Sequence, residues 1–228
     1  GIKSPIAVIP NGVDTGEFFD LDSKFICKRR LSLSPDKRYL LFFSRIHPKK
    51  GLDLLLDVFG TIKDQFPDWN LLIAGANDDD RYHASICQKI AVADLDSRVK
   101  MLGLIVGKNR REVFGASDLF VLPTTSENFG MSIAEALASG LPVITTKGAP
   151  WEAIVTHSAG WWIDLESQAL RSSLVEAMSM PTDRLSVMGF AGKRVVKDMS
   201  WRSVASQMEQ VYLWTLGKLK KPDCVSVT

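Results

Sequence analysis

Two carboxylates, Glu127 and Glu135, stand with seven residues between them in ENFGMSIAEALASGLPVITT, residues 127–146, an otherwise apolar segment. Gly130 lies between them and has the position of a helix opening. A helix start offers unpaired N–H groups and the positive end of the helix dipole, which together favour anions. A glycine there has no Cβ, so backbone can come close to a ligand. A second group, SRIHPKKG (44–51), supplies Arg45, Lys49 and Lys50 just before another helical pattern. A diphosphate lying between Arg45, Lys50 and the Gly130 helix start would have its charge balanced without a metal ion.

Glu127 precedes the helix and Glu135 lies within it, so the two can reach to opposite sides of such an anion. Carboxylates are natural acceptors for paired hydroxyls. The ligand that satisfies both is therefore a diphosphate flanked by hydroxyl-rich groups, which is the form of a nucleotide sugar. Each feature alone also has a plainer reading: a solvated basic turn, a loop charge, an ordinary helix residue. Glutamate pairs at this spacing also arise by chance, so position in the fold has to decide.

The elements that must position these residues alternate along the chain. Apolar runs at Tyr39–Ser44, Asn70–Ala74, Val99–Leu102, Leu119–Leu122 and Pro142–Thr145 are continuous rather than alternating, as a parallel strand covered on both faces requires. Helical patterns at Gly51–Phe66, Arg81–Leu95 and Arg110–Ala116 separate them. This βαβ alternation predicts an α/β fold with a doubly wound, Rossmann-like parallel sheet flanked by helices. After Ser167 strands are expected to stop and three helices to follow, over Gln168–Met178, Thr182–Val196 and Ser200–Leu216, the last capped by Ser200. In a sheet of this kind ligands bind outside the carboxyl ends of the strands, where both SRIHPKKG and TTSENFG fall.

Length and composition limit the alternatives. The 228 residues fit one large domain, 1–228, with 46% hydrophobic and 24% charged residues. The net charge of +2 points to neither nucleic acid nor an anionic membrane, so anion binding must be local. Three dispersed cysteines, Cys27, Cys87 and Cys224, fit neither a zinc site nor a disulfide framework, and a reducing, cytoplasmic setting is expected. None of the 16 glycines lies two residues from another, which rules out a GxGxxG dinucleotide fingerprint. Walker A, HExxH and GxSxG patterns are also missing. The Asp-x-Asp pairs at 20/22, 78/80 and 94/96 read as turns and helix caps, and no metal is expected. The opening GIKSPIAVIPNG, with no initiator Met and an apolar strand almost at once, reads as the start of a piece of a longer protein. The closing LGKLKKPDCVSVT reads as a frayed, solvated end.

With these residues in place, the chain resembles the C-terminal, donor-binding domain of retaining glycosyltransferases of the GT-B fold, family 4. ENFGMSIAE is similar to that family's E-x7-E motif, and ALASGLPVITT is similar to its continuation. The motifs VIPNGVD (8–14), SRIHPKKG, LLIAG (71–75), VKMLG (99–103), ASDLFVLPT (116–124) and KGAPWEAI (147–154) follow in the family's order.

The resemblance implies that Arg45 and Lys50 hold the donor diphosphate and stabilise the leaving group as charge develops on it. It implies that Glu127 contacts the transferred sugar, with backbone of Asn128, Phe129, Gly130 and Met131 beside sugar and phosphate, and that Glu135 binds the ribose hydroxyls. Main chain near Leu104 and Ile105 would border the base. Ser44 and Asn128 depart from the glycines usual at their positions. The family's N-terminal acceptor domain has no counterpart in these residues, so the expected partners are a nucleotide sugar donor and that absent domain. Membrane association of a longer parent is left open. Trp161 and Trp162 read as packing, and Lys49 and His47 as solvated loop residues. A non-catalytic nucleotide-sugar binding module and a nucleotide-sugar 2-epimerase are the competing readings.

Overall fold

A computed structural model describes residues 4–226. After a short strand β1 (Ile6–Ala7) and two short helices, α1 (Thr15–Phe19) and α2 (Lys24–Arg30), the chain enters its sheet at β2 (Arg38–Phe43). There follow α3 (Leu52–Ile62), β3 (Trp69–Ala74), α4 (Asp80–Val92), β4 (Val99–Gly103), α5 (Lys108–Ala116), β5 (Leu119–Leu122), α6 (Met131–Ala138), β6 (Val143–Thr146), α7 (Ala153–Thr156) and β7 (Gly160–Ile163). Helices α8 (Ser167–Ser179), α9 (Thr182–Val195) and α10 (Trp201–Thr215) and a final strand β8 (Val225–Ser226) complete it.

Six strands form one sheet in the order β4-β3-β2-β5-β6-β7, every neighbouring pair parallel. The central strands are apolar along their whole length because both faces are covered. Leu40, Leu41, Phe42, Leu71, Leu72, Phe120, Val121, Val143 and Ile144 are all inaccessible to solvent. The edge strands β4 and β7 are only partly buried. Helices flank the sheet in two groups, α3 with α4 and α8, and α2, α5, α1, α6 and α9 in a second set. In α3 the residues Leu52, Leu55, Leu56, Phe59 and Ile62 recur at helical spacing and all enter the core.

The strand order reverses direction between β2 and β5. Chain leaving β2 turns toward β3 and chain leaving β5 turns toward β6, so the two loops diverge and open a crevice at the carboxyl ends of adjacent strands. Both loops singled out by sequence emerge there.

Three expectations need correction. GWWI is a sixth sheet strand, β7. The indole nitrogens of its tryptophans donate to Glu176 Oε2 at 2.9 Å and to the Ala149 carbonyl at 2.8 Å, and Trp161 packs partly on the core, as expected of it. Strands do not stop at Ser167: β8 pairs antiparallel with β1, Ala7 opposite Val225. The closing segment is accordingly not frayed at Val225, which is buried, while Val227 and Thr228 lie outside the described residues. Short-range hydrophobic pattern cannot reveal that pairing, because its two strands have two residues each and lie at opposite ends of the sequence. The three late helices and the Ser200 cap are as expected, with Ser200 Oγ accepting the Ser203 amide. Among the described residues no helix is long and apolar enough to cross a membrane.

Gly51 shows how tightly the crevice is built. It adopts φ +68°, between a 3₁₀ turn (Pro48–Lys50) and α3, and a Cβ there would meet the Pro123 carbonyl oxygen at 2.1 Å. Gly217, after α10, has a similar φ of +70° with open space around it. Gly51→Ala is therefore expected to cost about 2 kcal/mol or more in urea denaturation, against about 1 kcal/mol for Gly217→Ala, where only the left-handed strain applies. Equal costs would show that the close approach of Pro123 is not what Gly51 serves.

Candidate functional site

A cleft of about 680 Å³ opens at the reversal point. The end of β2 and its loop contribute Phe43, Ser44, Arg45, His47, Lys49 and Lys50. The loop from β5 into α6 contributes Ser126, Glu127, Asn128, Phe129, Gly130, Met131 and Ser132, with Glu135 one turn further on. Asn11 and Arg110 close the ring. The volume is in the range of small-molecule sites. Eight of the ten residues singled out from sequence thus come together. Leu104 and Ile105 do not join them: they follow the edge strand β4, Leu104 largely exposed and Ile105 packed partly on the core, and neither lines the cleft. Asn11, Phe43 and Arg110 had not been marked. Asn11 sat within the VIPNGVD motif without a role, and nothing local distinguishes the other two.

The two loops are stitched to each other before any ligand is considered. His47 Nδ1 accepts the Lys49 amide at 3.1 Å and so caps the 3₁₀ turn that carries Lys49 and Lys50. The Lys49 carbonyl accepts both the Thr125 amide at 2.8 Å and the Thr124 hydroxyl at 3.0 Å. On the other side Glu127 is fixed by its amide on the Gly148 carbonyl at 2.8 Å, and Trp151 Nε1 donates to the Phe129 carbonyl. Gly130 sits at φ +86°, where a Cβ would press on Ile133 and Trp151. Its carbonyl takes the amides of Ile133 and Ala134, and those of Met131 and Ser132 have no partner among the described residues. These are the exposed donors that a helix start presents to an anion.

Charge within the cleft is unbalanced. Four cations, Arg45, Lys49, Lys50 and Arg110, face two carboxylates, Glu127 and Glu135. Lys50 Nζ lies 2.6 Å from Glu127 Oε1, with side chains only 13% and 12% exposed. Arg45 pairs with Asp78 at 2.7 Å in the open, its side chain 63% exposed. An exposed pair of this kind contributes about 0 to 1 kcal/mol, so Arg45 can exchange Asp78 for a phosphate at little cost. The Lys50–Glu127 pair is the firmer of the two, because partial desolvation raises the penalty for separating it.

Glu135 is 95% buried from water, and Arg110 on α5 donates to its Oε1. Burial pushes the Glu135 carboxyl above its usual range, and the Arg110 bond and charge pull it partly back. Its second oxygen, Oε2, has no partner among the described residues. No group of three or more His, Cys, Asp or Glu side chains able to hold a metal ion occurs among the described residues.

Comparison with known proteins agrees with the geometry. The family described as glycosyl transferases group 1 matches residues 24–194. The lipopolysaccharide core biosynthesis mannosyltransferase LpsB of Rhizobium meliloti (strain 1021) is 33% identical over 156 residues, covering 67% of this chain and 43% of that protein. The phosphatidyl-myo-inositol mannosyltransferase of Mycobacterium tuberculosis (strain ATCC 25618 / H37Rv) is 28% identical over 99% of this chain and 58% of its own length. Among solved structures, the C-terminal domain of the group 1 glycosyl transferase LpcC from Francisella tularensis superposes with a TM-score of 0.73 at 26% identity, covering 82% of this chain and 97% of that domain. Anabaena Alr3699/HepE, solved with UDP and glucose, gives a TM-score of 0.77 at 24% identity over 93% of this chain and 56% of its own. The chain spans about half the length of the curated relatives it matches. With a parallel sheet of GT-B type and a family match over three quarters of its residues, the chain belongs to the group 1 glycosyl transferases.

Proposed function

We propose that this chain is the donor-binding part of a retaining, family 4 glycosyltransferase that takes a sugar from a nucleoside diphosphate sugar. The observation that carries the reading is the cleft at the strand-order reversal, where an excess of cations and the α6 helix start face two carboxylates. Support comes from HepE, whose solved complexes contain UDP with glucose and UDP-glucose.

In this reading the diphosphate lies against Arg45, Lys50 and the amides of Met131 and Ser132. Charge grows on the phosphate oxygens as the bond to the sugar breaks. Lys50, held by Glu127, and Arg45, once it has exchanged Asp78 for phosphate, stabilise that charge, the usual source of large electrostatic rate effects. Glu127, ion-paired to Lys50, stands at the sugar end, beside backbone of Asn128 and Phe129. Glu135 stands at the ribose end. The counter-charge comes from side chains and helix amides, and no divalent metal is required. The relatives' greater length leads us to assign the acceptor surface to a further domain, which would also exclude water from the reaction.

Three outcomes follow. Calorimetry with UDP, GDP and ADP should give binding of at least one, unchanged by EDTA, whereas binding lost on chelation would show that a metal supplies the counter-charge. Glu127→Ala should weaken a nucleotide sugar relative to its free nucleotide, because Lys50 stays available to phosphate while the sugar loses its acceptor. Glu135→Ala should weaken both equally. The loss is roughly 1.5 to 3 kcal/mol per charged hydrogen bond, and an unchanged ratio for Glu127→Ala would refute its assignment to the sugar. Finally, this chain alone should bind radiolabelled donor without transferring it to extracted acceptors, since holding the acceptor in line accounts for about 7 to 11 kcal/mol of such a barrier. Sustained transfer by these residues alone would show that they already form a complete enzyme.

A further inference from the structure

Arg110 belongs to none of the motifs that mark the cleft, yet it lines the cleft and holds Glu135. It sits in the first turn of α5, and its guanidinium carbon lies 5.8 Å from the centre of the Phe18 ring and 5.6 Å from that of Phe43. Those rings belong to α1 and the end of β2, so the guanidinium is fixed against two elements besides its own. One of its terminal nitrogens donates to Glu135 Oε1. Its Nε and the Glu135 Oε2 are both buried without a partner among the described residues.

An ion pair whose carboxylate is buried and whose arginine is about a third exposed, with one buried atom on each side unsatisfied, is a poor stabiliser, and an apolar residue at the buried position usually serves stability as well or better. Unpaired buried polar atoms are tolerated where a ligand needs them. We propose that Arg110 is a positioning residue that holds the Glu135 carboxylate ionised and oriented for the ribose hydroxyls of the donor, and so sets the preference for a ribonucleotide. The inference rests on reading the cleft as a nucleoside diphosphate site.

The groups that act on Glu135 come from several elements. Its burial between α6 and the sheet is the largest influence and raises its pKa. Arg110 from α5 lowers it, and Glu17 from α1 raises it again. Lys193 from α9 approaches Gly140 at the far end of α6, with its Nζ committed to the Phe19 carbonyl. Strands β5 and β6, beneath α6, carry no titratable side chain. Across the cleft stand Arg45, His47, Lys49, Lys50 and Glu127. Arg110 is therefore the one cation bonded to this carboxylate among the described residues. Removing it lets burial act unopposed: the folded-state pKa rises further, and the protonated carboxyl persists to higher pH. A protonated carboxyl loses acceptor capacity, so ribose recognition should fail at a higher pH than in the native chain.

The test measures the affinities of UDP, GDP and ADP and of their 2′,3′-dideoxy forms by calorimetry across pH 5 to 8, for the native chain, Arg110→Met and Arg110→Lys. Taking the ribo-to-dideoxy ratio cancels titration of the phosphates, which both probes share. The native chain should prefer the ribonucleotide by about tenfold or more, the worth of a hydrogen bond to a charged group. Arg110→Met should lose most of that preference and shift its acid limit to higher pH. Arg110→Lys should restore the acid limit, because it restores the charge, but only part of the preference, because an ammonium lacks the planar fork. A folded Arg110→Met chain with the native ratio and the native acid limit would overturn the proposal. If that variant does not fold, Arg110→Lys decides: a reduced ratio supports the proposal and a native ratio overturns it. If the native chain binds none of the three ribonucleotides, the reading of the cleft itself fails. If it binds ribo and dideoxy forms equally, that reading stands and the role given to Arg110 falls.

Discussion

The pairing of β2 with β5 is the constraint on which the rest of the molecule depends. Leu40 lies opposite Leu119 and Leu41 opposite Phe120, in the middle of a sheet whose two halves wind away from this line. Parallel strands must be joined by crossovers, and crossovers from neighbouring strands on opposite sides of the reversal leave no chain to fill the space above them. The crevice is thus a product of topology. What the sequence adds is a pair of loops that do not collapse into it. The Lys49 carbonyl accepts from Thr124 and Thr125, and Gly51 lies so close to Pro123 that a Cβ would not fit, so the basic loop and the carboxylate loop are tied to each other.

Within that frame the electrostatics have a common form. Arg45 has Asp78, Lys50 has Glu127 and Arg110 has Glu135. Each pair holds a cation in place without quenching the site, because with Asp78 counted there are still four cations to three carboxylates. The pairs differ in how readily they open, and burial sets the order. Arg45 is solvated and exchanges partners cheaply, whereas Lys50 and Glu127 are largely desolvated and stay together unless a ligand replaces the lost interaction. An anion entering the cleft therefore finds charge that is already oriented, and the cost of orienting it was met during folding.

Much of this was legible in the sequence, and what was not has physical reasons. The central strands were readable because burial on both faces demands unbroken apolar runs such as LLFF and LFVL. The location of the site followed from the rule that ligands bind outside the carboxyl ends of parallel strands, whereas the strand order and its reversal are seen only in the fold. Glu127, Gly130, Glu135, Arg45 and Lys50 were readable because chemistry and position agreed. Strands β7 and β8 were not: GWWI carries two bulky tryptophans that read as packing, and β8 has two residues whose partner, β1, lies at the other end of the sequence. Arg110 was missed for a different reason. On α5 it looks like one of several solvated charges in KNRRE, and its partner is 25 positions away on another helix. Leu104 and Ile105 rest on family resemblance alone, with no residue-level chemistry behind them, and they lie outside the lining of the cleft.

The two carboxylates in so apolar a segment now have separate explanations. Helix α6 buries Ile133, Ala134, Ala136, Leu137 and Ala138 completely, because it is wedged between the sheet and α1 and α9. Every side of such a helix is covered, so an ordinary polar face is impossible, and position 135 would be apolar if stability alone chose it. A carboxylate there is desolvated, which raises its pKa, and the Arg110 bond and charge pull it partly back. Glu127, one loop earlier, pairs with Lys50. Each acid therefore required a base drawn from a different crossover, Lys50 after β2 and Arg110 after β4. The apolar character of 127–146 and the scattered basic residues are two sides of one requirement, since an apolar segment that carries carboxylates needs its cations from elsewhere in the fold.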